Sequence, residues 1–192
     1  MLKINNIFKD ELLIGNFLSN LFYSIAYPTI HFILISDATE KLISANQIII
    51  CFAGIIFPII WNQKSDRLYK KYGYLLSLEG ILYSLLIIAI LFSIITPRMY
   101  YLVDTILFSI LTKNIICGLN KLKIYRYKGN TREEYDNNVN IVCNISSLIG
   151  FSISLIVSIS KNIAFIFMGI GIVLDNIFYY KAYKLTLSVK EE

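Results

Sequence analysis

The chain has 192 residues, a formal charge of +5, 56% hydrophobic residues and only 16% charged ones. A water-soluble domain carries roughly 45–50% apolar and about 25% charged residues, so this composition argues against one. The positive charge sits in short segments between long apolar runs, which argues against nucleic-acid binding and for a chain embedded in a lipid bilayer.

A run of about 20 apolar residues spans the hydrocarbon core as a helix. Only helices and closed barrels satisfy their backbone there. No run shows the period-2 alternation of a barrel strand. The sequence therefore predicts an all-α, polytopic membrane protein with six transmembrane helices in one domain, residues 1–192. The predicted spans are about 12–35, 42–62, 73–95, 98–119, 139–159 and 162–183. The first is read as a retained helix, because Met1 to Asn16 mixes Lys3 and Lys9 with Asp10 and Glu11 and lacks a small-residue cleavage site.

Connections of two to about twenty residues predict antiparallel neighbours. Fourteen basic residues fall on one side: Lys3, Lys9, Lys64, Arg67, Lys70, Lys71, Lys121, Lys123, Arg126, Lys128, Arg132, Lys181, Lys184 and Lys190. Three fall on the other: Lys41, Arg98 and Lys161. Basic residues remain on the cytoplasmic side, so both termini are expected there, in a cell membrane.

Lipid-facing helix surfaces are apolar, so polar stripes mark surfaces turned to protein or water. The first span carries Asn16, Asn20, Ser24, Tyr27 and His31 beside Pro28. The second carries Ser44, Gln47, Cys51, Gly54 and Pro58. The fourth carries Tyr101, Asp104, Phe108 or Ser109, and Thr112. The fifth carries Asn140, Asn144, Ser147, Gly150, Ser154 and Ser158. Small and hydroxyl residues also let membrane helices pack closely, the plainer reading of any single Ser or Gly. Taken together, the stripes point to a polar cavity, with Asn20, Tyr27, Gln47, Asp104 and Asn144 as candidate substrate-cavity residues.

Five ionisable residues lie at membrane depth: His31, Glu79, Asp104, Lys113 and Asp175. A charge at a helix centre costs about 2.5–3.5 kcal/mol on insertion scales. His31 and Asp104 lie at similar depth, as a structural hydrogen bond or a proton-carrying pair. Lys113 either neutralises Glu79 or Asp175 or extends to the interface. Candidates for proton coupling are His31, Glu79, Asp104 and Asp175.

The loop after the second span reads Asn62-Gln63-Lys64-Ser65-Asp66-Arg67-Leu68-Tyr69-Lys70-Lys71. It resembles the signature loop of the major facilitator superfamily, glycine-x-x-x-aspartate-arginine-x-glycine-basic-basic. Asp66, Arg67, Lys70 and Lys71 match; Asn62 and Tyr69 stand where the family has glycines. The stretch from Leu13 to Leu21, followed by Ala26-Tyr27-Pro28, looks like the first helix of facilitator-type drug exporters, and Ile149-Gly150 sits where such exporters often have glycine. The resemblance implies one six-helix half of a facilitator fold, acting as a homodimer or with a second half. It implies efflux of a small, moderately hydrophobic molecule by alternating access, with proton coupling and no cofactor. It also implies a latch between Asp66 and a basic residue of the fourth helix, for which Lys113 is the candidate.

Two other functions fit a chain of this kind. One is a non-transporting accessory or immunity protein, which includes a truncated, inactive transporter. The other is the substrate-binding subunit of a vitamin importer. An enzyme is not expected: a lone histidine cannot form a two-histidine metal site, no glycine-rich phosphate loop occurs, and Cys51, Cys117 and Cys143 fit no metal spacing.

Overall fold

The structure, a computed structural model, describes residues 10–37, 39–62, 65–127 and 130–191. The helices in chain order are α1 (Glu11–Asp37), α2 (Glu40–Asn62), α3 (Ser65–Lys70), α4 (Tyr72–Leu91), α5 (Pro97–Leu107), a π-helical turn (Phe108–Thr112), α6 (Lys113–Arg126), α7 (Asn130–Ile156) and α8 (Lys161–Glu191). Five stretches among the described residues are long and apolar enough to cross a bilayer: Glu11–Leu34, Tyr72–Leu91, Pro97–Arg126, Thr131–Ile156 and Lys161–Ser188. This is the pattern of a multi-pass helical membrane protein. The remaining predicted span corresponds to α2, 23 residues long, whose last side chains lie outside the described residues, with those of Gly54 and Pro58. Lys3, Lys9, Lys64 and Lys128, and the side chains of Arg67 and Lys190, lie outside them too.

Local chemistry sets the helix ends. Pro97 opens α5 at the first turn, where its missing N–H is no loss. Thr96 caps the same turn by accepting from the Met99 N–H at 3.3 Å. The turn before it holds Ser93 at φ 56° and ends α4 at Leu91, short of the expected boundary. The expected connection from Asn120 to Asn138 contracts to residues 127–129, because α6 runs on to Arg126 and α7 starts at Asn130. Glu133 in the first turn of α7 complements the positive end of the helix macrodipole.

The chain divides into two packing units. The first comprises residues up to Thr29 and from Leu122 onward; the second comprises Ile30–Lys121. One boundary follows Pro28 inside α1, where proline cannot donate to the Ser24 carbonyl.

In the first unit, α1 packs against both α7 and α8. The Asn20 amide reaches the Cys143 carbonyl at 2.7 Å, Ser146 Oγ at 2.8 Å and Ser147 Oγ at 2.7 Å. Ser24 Oγ adds a bond to Ser147 Oγ at 3.3 Å. Gly150 permits this approach: a Cβ there would stand 2.6 Å from Ser24 Cβ and 2.8 Å from the Leu21 carbonyl oxygen. On the α8 side, Tyr179 donates to Asn16 Oδ1 at 3.1 Å. Phe22 meets Phe167 edge-on, with ring centroids 5.7 Å apart. A Cβ on Gly171 would come no closer than 3.2 Å to its neighbours.

In the second unit, α2, α4, α5 and the π turn pack together, with α3 against α4. Tyr72, Leu76, Ile90 and Tyr100 are almost wholly buried. Gly118 seats the Tyr72 ring, which an added Cβ would strike at 2.4 Å.

Gly150 and Gly171 of the first unit give an ordering. Gly150→Ala forces α1 and α7 apart and should cost about 1–3 kcal/mol, the usual range for overpacking. Gly171→Ala should cost less. Thermal unfolding of both variants in detergent checks this, and the reverse order contradicts the packing described.

Candidate functional site

The polar residues of the second unit gather along α4 and the α5–π–α6 segment. Glu79 lies on α4, buried at 9% exposure. Its Oε1 accepts from Thr112 Oγ1 at 2.7 Å. One turn along α4, the buried Tyr83 hydroxyl hydrogen-bonds Asp104 and lies within reach of Thr112. Tyr100, fully buried, stands close enough to feel the Asp104 charge. Two carboxyl groups are thus joined through one phenol and one hydroxyl between α4 and the α5–π–α6 segment.

The π turn makes this arrangement possible. In a regular α-helix Asp104 and Thr112 are eight residues apart and point about 80° away from each other. Within the turn the Lys113 N–H donates to the Phe108 carbonyl, five residues back. Absorbing one extra residue cancels most of that offset, so both side chains turn to α4. Such bulges occur frequently at functional sites. The turn also carries Ser109, 2% exposed, whose hydroxyl has no hydrogen-bond partner.

The other predicted residues fall elsewhere. Asn20 is spent on helix packing against α7. Tyr27, 56% exposed, and Gln47, Asn144 and His31 stand on outer surfaces of their units. The hydrogen bond of Asp104 is with Tyr83, where His31 was expected. Asp175 belongs to the first unit, near Cys143. The Lys113 ammonium lies 5.2 Å from the centre of the Phe108 ring, while Glu79 accepts from Thr112.

The signature-like loop forms α3 and its following turn. Asp66 pairs with Lys121 at 2.9 Å rather than with Lys113. The two lysines are eight residues apart on α6, and the residue nearer the loop end of that helix is the one in reach. Lys70 and Lys71 are exposed. The Asp66 side chain is 75% exposed, so the pair is a weak contact.

The first unit holds a stronger ionic cluster, which charge patterning in the sequence does not single out. Arg126 bonds Glu11 Oε2 at 2.6 Å and lies 3.9 Å from Asp10 Oδ1. The Tyr127 hydroxyl donates to Asp10 Oδ2. Tyr127 stacks on Tyr135 at 4.2 Å between centroids, and Lys123 lies over Tyr135 and 4.0 Å from Asp136. Burial, with the bond to Asp10, pushes the Tyr127 phenol well above its ordinary value, so it remains a donor at neutral pH. The alternation of Lys123, Tyr125, Arg126, Tyr127 and Tyr135 is the signal that a reading for charge alone passes over.

The two ionic sites should respond differently. Arg126→Met leaves the partly buried Asp10 and Glu11 without their cation and should lower the unfolding free energy by about 2–3 kcal/mol. Asp66→Asn should change it by less than about 1 kcal/mol. Denaturation in detergent measures both, and equal losses would contradict this ranking.

Compared with models of protein families, with curated proteins and with solved structures, the chain matches none.

Proposed function

We propose that this chain is one six-helix half of a facilitator-type membrane transporter, working with a second copy or a separate second half. It moves a small, moderately hydrophobic molecule outward by alternating access, and the Glu79–Asp104 pair takes up and releases the coupling proton. The termini and the α3 loop are cytoplasmic in this reading, from the distribution of basic residues.

The observation that carries it is the Glu79–Thr112–Tyr83–Asp104 cluster. An ionised carboxylate at membrane depth is costly, and two in one helix pair cost more. Protonation removes that cost, and a hydroxyl chain between the two groups offers a path for the proton. A purely structural helix pair gains nothing from a second acid. The exposed Gln47 and Asn144 add support, because polar groups on outer faces of membrane helices call for a partner or a water-filled path. The partial facilitator motif at Asp66, Arg67, Lys70 and Lys71 supports the family reading.

A second reading, a non-transporting accessory protein, is favoured by the way Asn20, Ser24 and Ser147 are all used in packing. One experiment separates the two. The protein is reconstituted in vesicles bearing a pH gradient, and movement of a fluorescent hydrophobic dye is followed with internal pH. Transport predicts gradient-driven dye movement with countermoving protons. Glu79→Gln and Asp104→Asn should each slow it at least about tenfold, equivalent to about 1.4 kcal/mol. Helical content should be unchanged. No movement across a panel of such dyes, or movement indifferent to both substitutions, contradicts the proposal.

A further inference from the structure

Polar residues mark two faces of α7. One face serves α1: the Cys143 carbonyl and the Ser146 and Ser147 hydroxyls meet Asn20, and Gly150 lets Ser24 approach. The other carries Asn137, Ile141, Asn144, Leu148, Phe151 and Leu155, in alternating steps of four and three residues. At roughly 100° per residue, the centres of the two faces lie about 130° apart. The second row is a heptad seam, the repeat by which two helices pack side by side. Ile141 is half-buried and the other five are exposed.

Asn144 is the informative residue. Its amide hydrogen-bonds no other described residue, and neither does that of Asn137 or of Asn140 beside the row. Asp136 is the last charged residue of α7, and Asn144 stands eight residues beyond it, about 12 Å of helical rise into apolar sequence. A side chain as short as that of asparagine does not reach back from there to the charged end. Hydrocarbon offers the amide nothing, and an apolar partner helix does no better. A carboxamide carries donor and acceptor together, so another carboxamide matches it at both ends. Copies of one membrane protein share one orientation, so a two-fold axis along the membrane normal sets their α7 helices parallel. In such a pair each seam residue meets its own counterpart. The amide at 144 is then matched, and Leu148, Phe151 and Leu155 meet hydrocarbon. Glu134, one step earlier in the repeat, would meet its own like charge, so the seam starts at Asn137.

We propose that α7 pairs with α7 of a second copy of this chain along residues 137–155, with the two Asn144 amides hydrogen-bonded to each other. An asparagine in the seam of a parallel helix pair fixes its register, because any slip leaves the amide unmatched. One face of α7 thus builds the unit and another joins two copies. The inference rests on the transport reading only in giving the second copy a part in moving cargo; the pairing itself does not need transport.

The test uses the full chain in lipid vesicles, with donor-labelled and acceptor-labelled copies mixed and energy transfer followed as lipid is added. Transfer should report a dimer, and Asn144→Leu should raise its dissociation constant about tenfold, the equivalent of about 1.4 kcal/mol. Asn144→Gln, which keeps a carboxamide, should lose less. Ile149→Leu, on a third side of α7, should change nothing. The Asn144→Leu chain breaks no hydrogen bond within one copy, so its helical content should match that of the parent. In a chain whose Cys51, Cys117 and Cys143 are replaced by alanine, Leu148→Cys should form a disulfide between copies on addition of an oxidant, and Ile149→Cys should not. A chain that stays monomeric at every lipid ratio overturns the inference. So does a dimer indifferent to Asn144→Leu, or one cross-linked through Ile149→Cys and not through Leu148→Cys. If pairing fails while gradient-driven dye movement persists, the α7 interface alone falls. If pairing holds and dye movement is absent, the transport reading falls and the interface stands.

Discussion

Hydrocarbon offers no hydrogen bonds, and this constraint organises the molecule. Every polar side chain placed at membrane depth must find its partner in the chain itself, in a second protein or in a water-filled path. Asn20 finds three acceptors on α7, more than its two hydrogens can serve at once, so the pair of helices is tied side chain to backbone and side chain to side chain. Asn16 joins Tyr179, and Glu79 joins Thr112. The glycines at 150 and 118 then let neighbouring groups approach closely enough for these bonds and ring contacts to form. Polar glue and small residues are the usual means by which membrane helices associate, since lipid supplies no hydrophobic force between them.

The two units use that constraint differently. In the first, Asn16, Asn20 and Ser24 of the α1 stripe are used in holding α7 and α8, and an ionic cluster forms at the helix ends around Arg126, Asp10 and Glu11. In the second, polarity lies inside a helix pair and is bought with a departure from regular helix geometry at Phe108–Thr112. A π turn forfeits regular hydrogen-bond spacing, so its presence beside two carboxyl groups, a buried phenol and an orphaned serine marks this segment as the chemically informative part of the chain.

Much of the architecture is legible in the residues. Apolar runs of bilayer length place the helices, because length and hydropathy are read directly against membrane thickness. Pro97 and Thr96 announce the start of α5. Glu79 and Asp104 stand out as costly groups, and the structure brings them into one cluster. What joins them is not legible: Tyr83 reads as one more aromatic in an apolar run, and an i+5 turn leaves no periodic trace. The polar stripe of α1 shows the same ambiguity. Its spacing is that of a cavity wall and of a packing seam alike, and only the partners of Asn20 decide for packing. Lys113 is the basic residue inside the predicted fourth span, yet Lys121 meets Asp66, because the helix continues to Arg126 and carries Lys121 nearer its loop end. The segment from Asn120 to Asn138 reads as a loop, whereas the flanking helices run on to Arg126 and start at Asn130, with Tyr127 stacked on Tyr135.

The account stands on the claim that polar groups at membrane depth are held by specific partners within the chain, above all Glu79 by Thr112. A double-mutant cycle in unfolding free energy, with Glu79→Met, Thr112→Val and both together in the same detergent, tests it most directly. A coupling of about 1–2 kcal/mol between the two positions is predicted for a bond of this kind. Additivity within about 0.3–0.5 kcal/mol, the behaviour of independent sites, would contradict it.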